Sequence, residues 1–345
     1  MPSESDGHKT HVQIPKHPMQ NLASILHVVY ASDVIDCALV ASMTSLSAHT
    51  AAPVHYHIVM PTTVQPEYRL GMTLPLNNKV DFHIMPTMTF DMRGKQPHIA
   101  QRRITWARLF LPEYVPSDTR RLLYLDTDTL VDRDVASLFS MPLNTGVGAV
   151  RQNTNFNSYL KSSIPGVPKS WKMFNSGVLL VNVGRWRAAN ITRQLLSVAE
   201  SMRPFNDDQV LFNVYFARNE VTHLPSHWNH CNIGCSRPLQ THTPGIHHWS
   251  CKWKWWKPDG NYSTFALKIL KPILNSLSVH CGLIRKTRCS SAFGAQDIHT
   301  TICRCYQVLR EASVAHRSVT VSMPTSPLTQ WVEFLMGRFG WFLCL

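Results

Sequence analysis

With 345 residues, 44% of them hydrophobic and only 16% charged, the chain carries enough apolar surface to fold, which excludes a polymer disordered throughout and fits one large α/β domain with an appendage. A formal charge of +13 favours an anionic partner: a phosphorylated ligand, a nucleic acid or an acidic membrane face. The Lys and Arg residues are scattered, however, and form no long basic arm. The 9 cysteines, concentrated in the C-terminal half, cannot all pair with one another and leave the redox compartment open.

Residues 1–22 are polar and rich in His, Lys and Pro, and read as a disordered lead without the apolar run of a signal peptide or membrane anchor. Residues 25–30 are apolar and β-branched enough for a buried strand, and Ala31-Ser32-Asp33 punctuates it. Apolar residues recur at helical spacing over 34–49, and 54–60 and 80–85 are again short strand-like runs. A helix is predicted at 104–111, then a fully apolar strand at 121–125 that stops on Asp126-Thr127-Asp128. Another buried strand follows at 174–183, with helices at 191–202 and 207–217, the second opening on an acidic pair. Residues 249–256 interleave Lys with aromatics.

Strands alternating with helices predict an α/β fold with a Rossmann-like, mostly parallel central sheet flanked by helices. The expected organisation is a lead at 1–22, a catalytic domain at 23–275 and a Cys-rich extension at 276–345 in which periodicity weakens. Within that extension 328–345 is apolar and aromatic but interrupted by Glu333 and Arg338, the pattern of an amphipathic surface helix making peripheral membrane contact.

Asp126 and Asp128 stand two positions apart at a strand end, and open α/β sheets bind ligands at that edge. Their hard oxygens suit Mg²⁺ or Mn²⁺. A solvated acidic turn is the competing reading. The apolar strand before the pair and Leu130-Val131 after it favour the cation, because partly buried carboxylates are costly without one.

Leu123-Tyr124-Leu125-Asp126-Thr127-Asp128-Thr129-Leu130-Val131 resembles the metal-binding signature of glycosyltransferase family 8. The likeness runs from Leu26 to Pro258. His27-Val28-Val29-Tyr30-Ala31-Ser32-Asp33 is similar to the family's first strand and nucleotide loop, and Ala107-Arg108-Leu109-Phe110-Leu111-Pro112 to the helix before the signature. Phe174-Asn175-Ser176-Gly177-Val178 and Asp208-Gln209-Val210-Leu211-Phe212-Asn213 match two later motifs in order, and Ile246 to Trp256 resembles a His-x-x-Gly-x-x-Lys-Pro-Trp element.

The resemblance implies a GT-A fold and a metal-dependent retaining transferase that takes a hexosyl or pentosyl group from a UDP-sugar to a carbohydrate or glycoprotein acceptor. It places Asp126, Asp128 and His248 on the metal, with the imidazole favouring Mn²⁺ over Mg²⁺. Tyr30, Ala31, Ser32, Asp33, Thr127, Asn175 and Lys254 fall to the nucleotide sugar, with Lys254 on its phosphates. Arg108, Asp208 and Gln209 fall beside the reacting sugar. By family analogy the chain belongs in the Golgi or secretory lumen, and sequons at Asn190 and Asn261 suit that.

Two positions depart from the pattern: Cys251 stands for Gly and Trp255 for Pro, and a Cys forced into a glycine conformation would be strained. Alternative alignment of Lys257-Pro258 restores Lys-Pro but breaks the spacing from His248. Two other readings compete: a catalytically weakened relative that binds or scaffolds, and a basic nucleic-acid binder with a zinc site drawn from His227, His230, Cys231, Cys235, His247, His248 and Cys251. No recognisable nucleic-acid module supports the last, and no nucleic-acid partner is expected.

Overall fold

The computed structural model describes residues 25–33, 37–61, 78–86, 100–160, 164–201, 208–231, 233, 243–251, 254 and 269. The lead at 1–22, the extension at 276–345 with its helix at 328–345, and Trp255 lie outside the described residues.

Four strands, β1 (Leu26–Ala31), β2 (Val54–Met60), β3 (Lys79–Ile84) and β4 (Arg121–Leu125), run parallel in the order β3-β2-β1-β4. β2 is buried along its whole length, as a strand covered on both faces must be. Next to β4 lies β7 (Lys172–Asn182), antiparallel, followed by β6 (Val147–Asn155), antiparallel to β7, and β8 (Thr222–Leu224), parallel to β6. The sheet is therefore mostly parallel, as expected, with β7 the reversed strand near its centre. β1 has β2 on one side and β4 on the other, so chain order reverses between them. The crevice beyond the C-terminal ends of two such strands is where α/β sheets place their ligands.

Side chains alternate across each strand and divide the core in two. On one face Val29, Leu122, Tyr124, Leu179 and Val181 pack against the 3₁₀ segment Ala100–Tyr114 and the helices Val183–Ala188, Ile191–Ser201 and Asp208–Arg218. On the other, Val28, Tyr30, Leu123, Leu125, Val178 and Leu180 pack against Cys37–His49 and Ala136–Phe139. Helix Ile191–Ser201 buries Ile191, Leu195 and Ala199, the four-residue spacing of one helical stripe. Asn182 caps Val183–Ala188 by accepting from the Arg185 amide. The helix predicted at 104–111 is longer than expected, and Pro112, without an amide hydrogen, lies in its last turn.

A second, two-stranded sheet joins β5 (Thr129–Val131) to β9 (Ile246–His248), with Thr129 opposite His248. Among the described residues no helix is long and apolar enough to cross a membrane.

Candidate metal centre

Between β4 and β5 the chain turns through Asp126-Thr127-Asp128. Three hydrogen bonds fix the turn: the Asp126 amide donates to Gly177 O on β7 at 2.8 Å, Thr129 Oγ1 donates to Asp126 O at 2.9 Å, and the Trp249 amide donates to Asp128 O at 3.0 Å. Strand β9 lies alongside β5 and carries His248 onto the acidic turn. Its Nε2 stands 3.1 Å from Asp128 Oδ1 and 3.6 Å from Asp126 Oδ2, and one ligand atom from each of the three residues lies within 4.8 Å of the others.

The orientation of the His248 ring is traceable to the backbone. The Gly177 amide donates to Asn175 Oδ1 at 3.0 Å, which fixes that oxygen as an acceptor, and Asn229 Nδ2 donates to the same oxygen at 3.0 Å. Asn229 then presents Oδ1 to His248 Nδ1 at 3.2 Å, so Nδ1 carries a hydrogen and Nε2 faces the carboxylates. Two carboxylates and an imidazole oriented from behind by an amide form a donor set suited to a divalent ion of the Mn²⁺ type. Asn229 was not singled out by sequence, and Ser176 and Gly177 entered only as members of a motif, with no role of their own. Asn229 follows Trp228 in a short turn with no spacing signal, and only its contacts mark it.

Arg108 is almost fully buried between carboxylates. Its Nη2 donates to Asp126 Oδ1 at 2.8 Å, Nη1 lies 2.9 Å from Asp208 Oδ2 and donates to Ser176 Oγ at 2.6 Å, and the guanidinium sits 4.9 Å from the Tyr124 ring centroid. Burial pushes the Tyr124 phenol well above its ordinary range, so it acts as a donor to Asp126 Oδ1 at 2.7 Å. Arg108→Met leaves Asp126 and Asp208 facing each other without this cation, and stability should fall by about 3–5 kcal/mol, the usual consequence of breaking a buried ion pair. Urea unfolding measures it. A loss below about 1 kcal/mol would show that solvent already screens the pair.

Gln209 Oε1 accepts from Asn175 Nδ2 at 3.0 Å and from the Ser176 amide at 3.1 Å, tying the start of Asp208–Arg218 to β7. Asn213, one turn on, exchanges hydrogen bonds with the Phe174 amide and carbonyl, both at 2.9 Å. Lys254 Nζ reaches Asp128 Oδ2 at 2.5 Å and also donates to Trp249 O. Burial alone would raise the Asp128 carboxyl, but the His248 ring and the Lys254 ammonium outweigh it and hold that carboxyl well below the ordinary carboxylate range.

The predicted residues therefore separate into two groups. Arg108, Asp126, Asp128, Asn175, Asp208, Gln209, His248 and Lys254 form one connected network. Tyr30, Ala31, Ser32 and Asp33 lie at the end of β1, beside the turn because Tyr30 pairs with Leu125, and Asp33 is exposed there. The Tyr30 side chain points into the core, its hydroxyl 3.0 Å from Ser42 Oγ, so only its backbone reaches the edge. Thr127 is half-buried at the tip of the turn.

The set proposed for zinc does not converge among the described residues. His248 belongs to the acidic turn, His247 Nε2 lies 2.9 Å from Asp132 Oδ1, and His230 Nε2 lies 3.0 Å from Thr243 O. Cys231 is a free thiol, Cys251 is disulfide-bonded, and Cys235 lies outside the described residues. The strain foreseen at Cys251 is absent as well: Asn190 is the non-glycine residue with positive φ among those described.

Comparison with known proteins agrees with this architecture. The family model described as glycosyl transferase family 8 matches residues 35–260. The chain is 26% identical over 265 residues to glycosyltransferase 8 domain-containing protein 1 of Xenopus tropicalis, covering 65% of this chain and 71% of the relative. It is also 26% identical over 262 residues to probable galacturonosyltransferase-like 3 of Arabidopsis thaliana, covering 68% and 75%. Among solved structures, the galactosyltransferase LgtC in complex with donor and acceptor sugar analogues superposes with a TM-score of 0.55 at 19% identity, covering 72% of this chain and 96% of that one.

Proposed function

The chain belongs to glycosyltransferase family 8 and is a glycosyltransferase of GT-A fold, and on that premise we propose that it is a metal-dependent, retaining enzyme that moves a hexosyl or pentosyl group from a UDP-sugar to the hydroxyl of a carbohydrate or glycoprotein. The observation that carries this reading is the meeting of Asp126, Asp128 and His248, two from one turn and one from a distant strand, in the family's motif order.

In this reading those three residues hold Mn²⁺, with Mg²⁺ as the harder and less imidazole-tolerant alternative. The ion, when bound, would neutralise negative charge developing on the diphosphate leaving group. Lys254, paired with Asp128, adds a second positive charge to that of Arg108, paired with Asp126. Arg108 holds Asp126 and Asp208 in place through its two ion pairs. Asp208 and Gln209 border the space where the sugar would lie, Gln209 oriented by Asn175. The end of β1, residues 30–33, borders the uridine, and Thr127 adds a polar contact at the turn. The disulfide at Cys251 supports an oxidising lumen such as the Golgi.

The weakened-relative reading rested on positions 251 and 255, and ordinary backbone geometry at Cys251 favours the active enzyme. The test is UDP release by the purified full chain from a panel of UDP-sugars. Release should need Mn²⁺, run slower in Mg²⁺ and stop in EDTA. Turnover indifferent to EDTA would remove the metal from the proposal, and nucleotide binding without turnover on any donor would favour the scaffold.

A further inference from the structure

The face of the sheet that carries Tyr124 holds a second cluster on β1 and β2, in which His57 is level with Tyr124 across Val29. Register places His27 of β1 opposite His55 of β2, and His57 opposite Asp81 of β3. Residues two apart on a strand share a face, so the three imidazoles converge. One ring nitrogen from each lies within 4.8 Å of the others, and His27 Nδ1 is 2.9 Å from His57 Nε2. The rings of His55 and His57 are 4.1 Å apart. Behind them stand two orienting partners: Asp81 Oδ2 lies 2.7 Å from His55 Nε2, and His83 Nε2 lies 3.1 Å from His57 Nδ1.

We propose that His27, His55 and His57 form a second metal site, distinct from the acidic turn, for a transition cation of the Zn²⁺ class. The chemistry of the two sets differs in kind. The turn offers two hard carboxylates and one imidazole, whereas this cluster offers imidazoles alone, the ligands that Zn²⁺, Co²⁺ and Ni²⁺ prefer over Mg²⁺ or Mn²⁺. A carboxylate bonded to the far nitrogen of a ligating His is the usual outer partner of such a site, and Asp81 occupies that place on His55. His57 and His55 are buried while His27 is half-buried, which leaves an entry from the strand ends. An ion there would tie β1 to β2 across the parallel ladder.

The proposal is independent of the sugar-transfer reading and is tested in a variant that lacks the acidic centre. Metal-stripped full-length Asp128→Ala is titrated with Co²⁺ and followed by visible absorption. One equivalent should bind with a tetrahedral d–d spectrum free of thiolate charge transfer. Adding His27→Gln, a substitution at the half-buried member, should weaken that binding at least about tenfold, and His55→Gln should do the same, with circular dichroism unchanged. Absence of a Co²⁺ band in Asp128→Ala, a thiolate band, or binding that survives both His substitutions would each overturn the site and leave a hydrogen-bonded stack of imidazoles.

Discussion

Asp128→Ala should lower metal-dependent sugar transfer by on the order of 10³-fold or more, because this one carboxylate meets both other parts of the centre. Its Oδ1 faces His248 Nε2 at 3.1 Å and its Oδ2 meets Lys254 Nζ at 2.5 Å. Without it, one carboxylate and one imidazole remain to hold a divalent ion, and Lys254 loses the anion that positions it. Asp128→Asn separates shape from charge: it keeps the side-chain outline and should still lose most of the rate. Turnover at saturating donor and Mn²⁺ affinity by electron paramagnetic resonance measure the two effects together. Near-normal turnover in Asp128→Ala would end the metal assignment.

Gly177→Ala should be nearly as damaging, although it removes no functional group. A Cβ at this β7 position would overlap His248 Cε1 and Asp126 Oδ2, closer than real Cβ atoms approach other atoms. Its φ is not in the left-handed region, so space and not backbone freedom demands glycine here. The Asp126 amide is bonded to the carbonyl of the same residue, so the turn cannot retreat without breaking that bond. A folded variant with Mn²⁺ affinity reduced by about 10–100-fold and turnover by on the order of 10²-fold is expected, the range for disturbing groups that support metal ligands. Gly148→Ala is the control, since its Cβ would meet the flexible ends of Leu224 and Leu143 at 3.1 and 3.2 Å and disturb no ligand. Equal activity loss in both would mean that Gly177 acts only through general packing.

Long apolar strands and the motifs at their ends were readable from sequence. β2 matches its expected limits of 54–60 residue for residue, and the acidic turn lies where the apolar run of β4 stops. β6 was not read, because its second half, Arg151 to Asn155, is polar and largely exposed and carries no alternation. β5, β8 and β9 are three residues each, too short for any period to register. The position of His248 came only from the family resemblance. The zinc grouping failed because neighbours on a strand point to opposite faces, so His247 and His248 could not serve one ion. The same rule, applied to His55-Tyr56-His57, would have revealed the imidazole cluster. Arg108 could be read as a helix residue but not as a buried one, since nothing local shows which carboxylates lie across from it.

The attachment of β9 to β5 has a kinetic meaning. Asp132 and His247, bonded across this little sheet, are 115 positions apart, so the ring beside them reaches the turn only after a long loop has closed. During synthesis the carboxylates emerge well before their third partner, and a nascent chain lacks a complete set until β9 docks. In the finished protein β9 is fully buried, so the position of His248 is secured by the same packing that seals the small sheet.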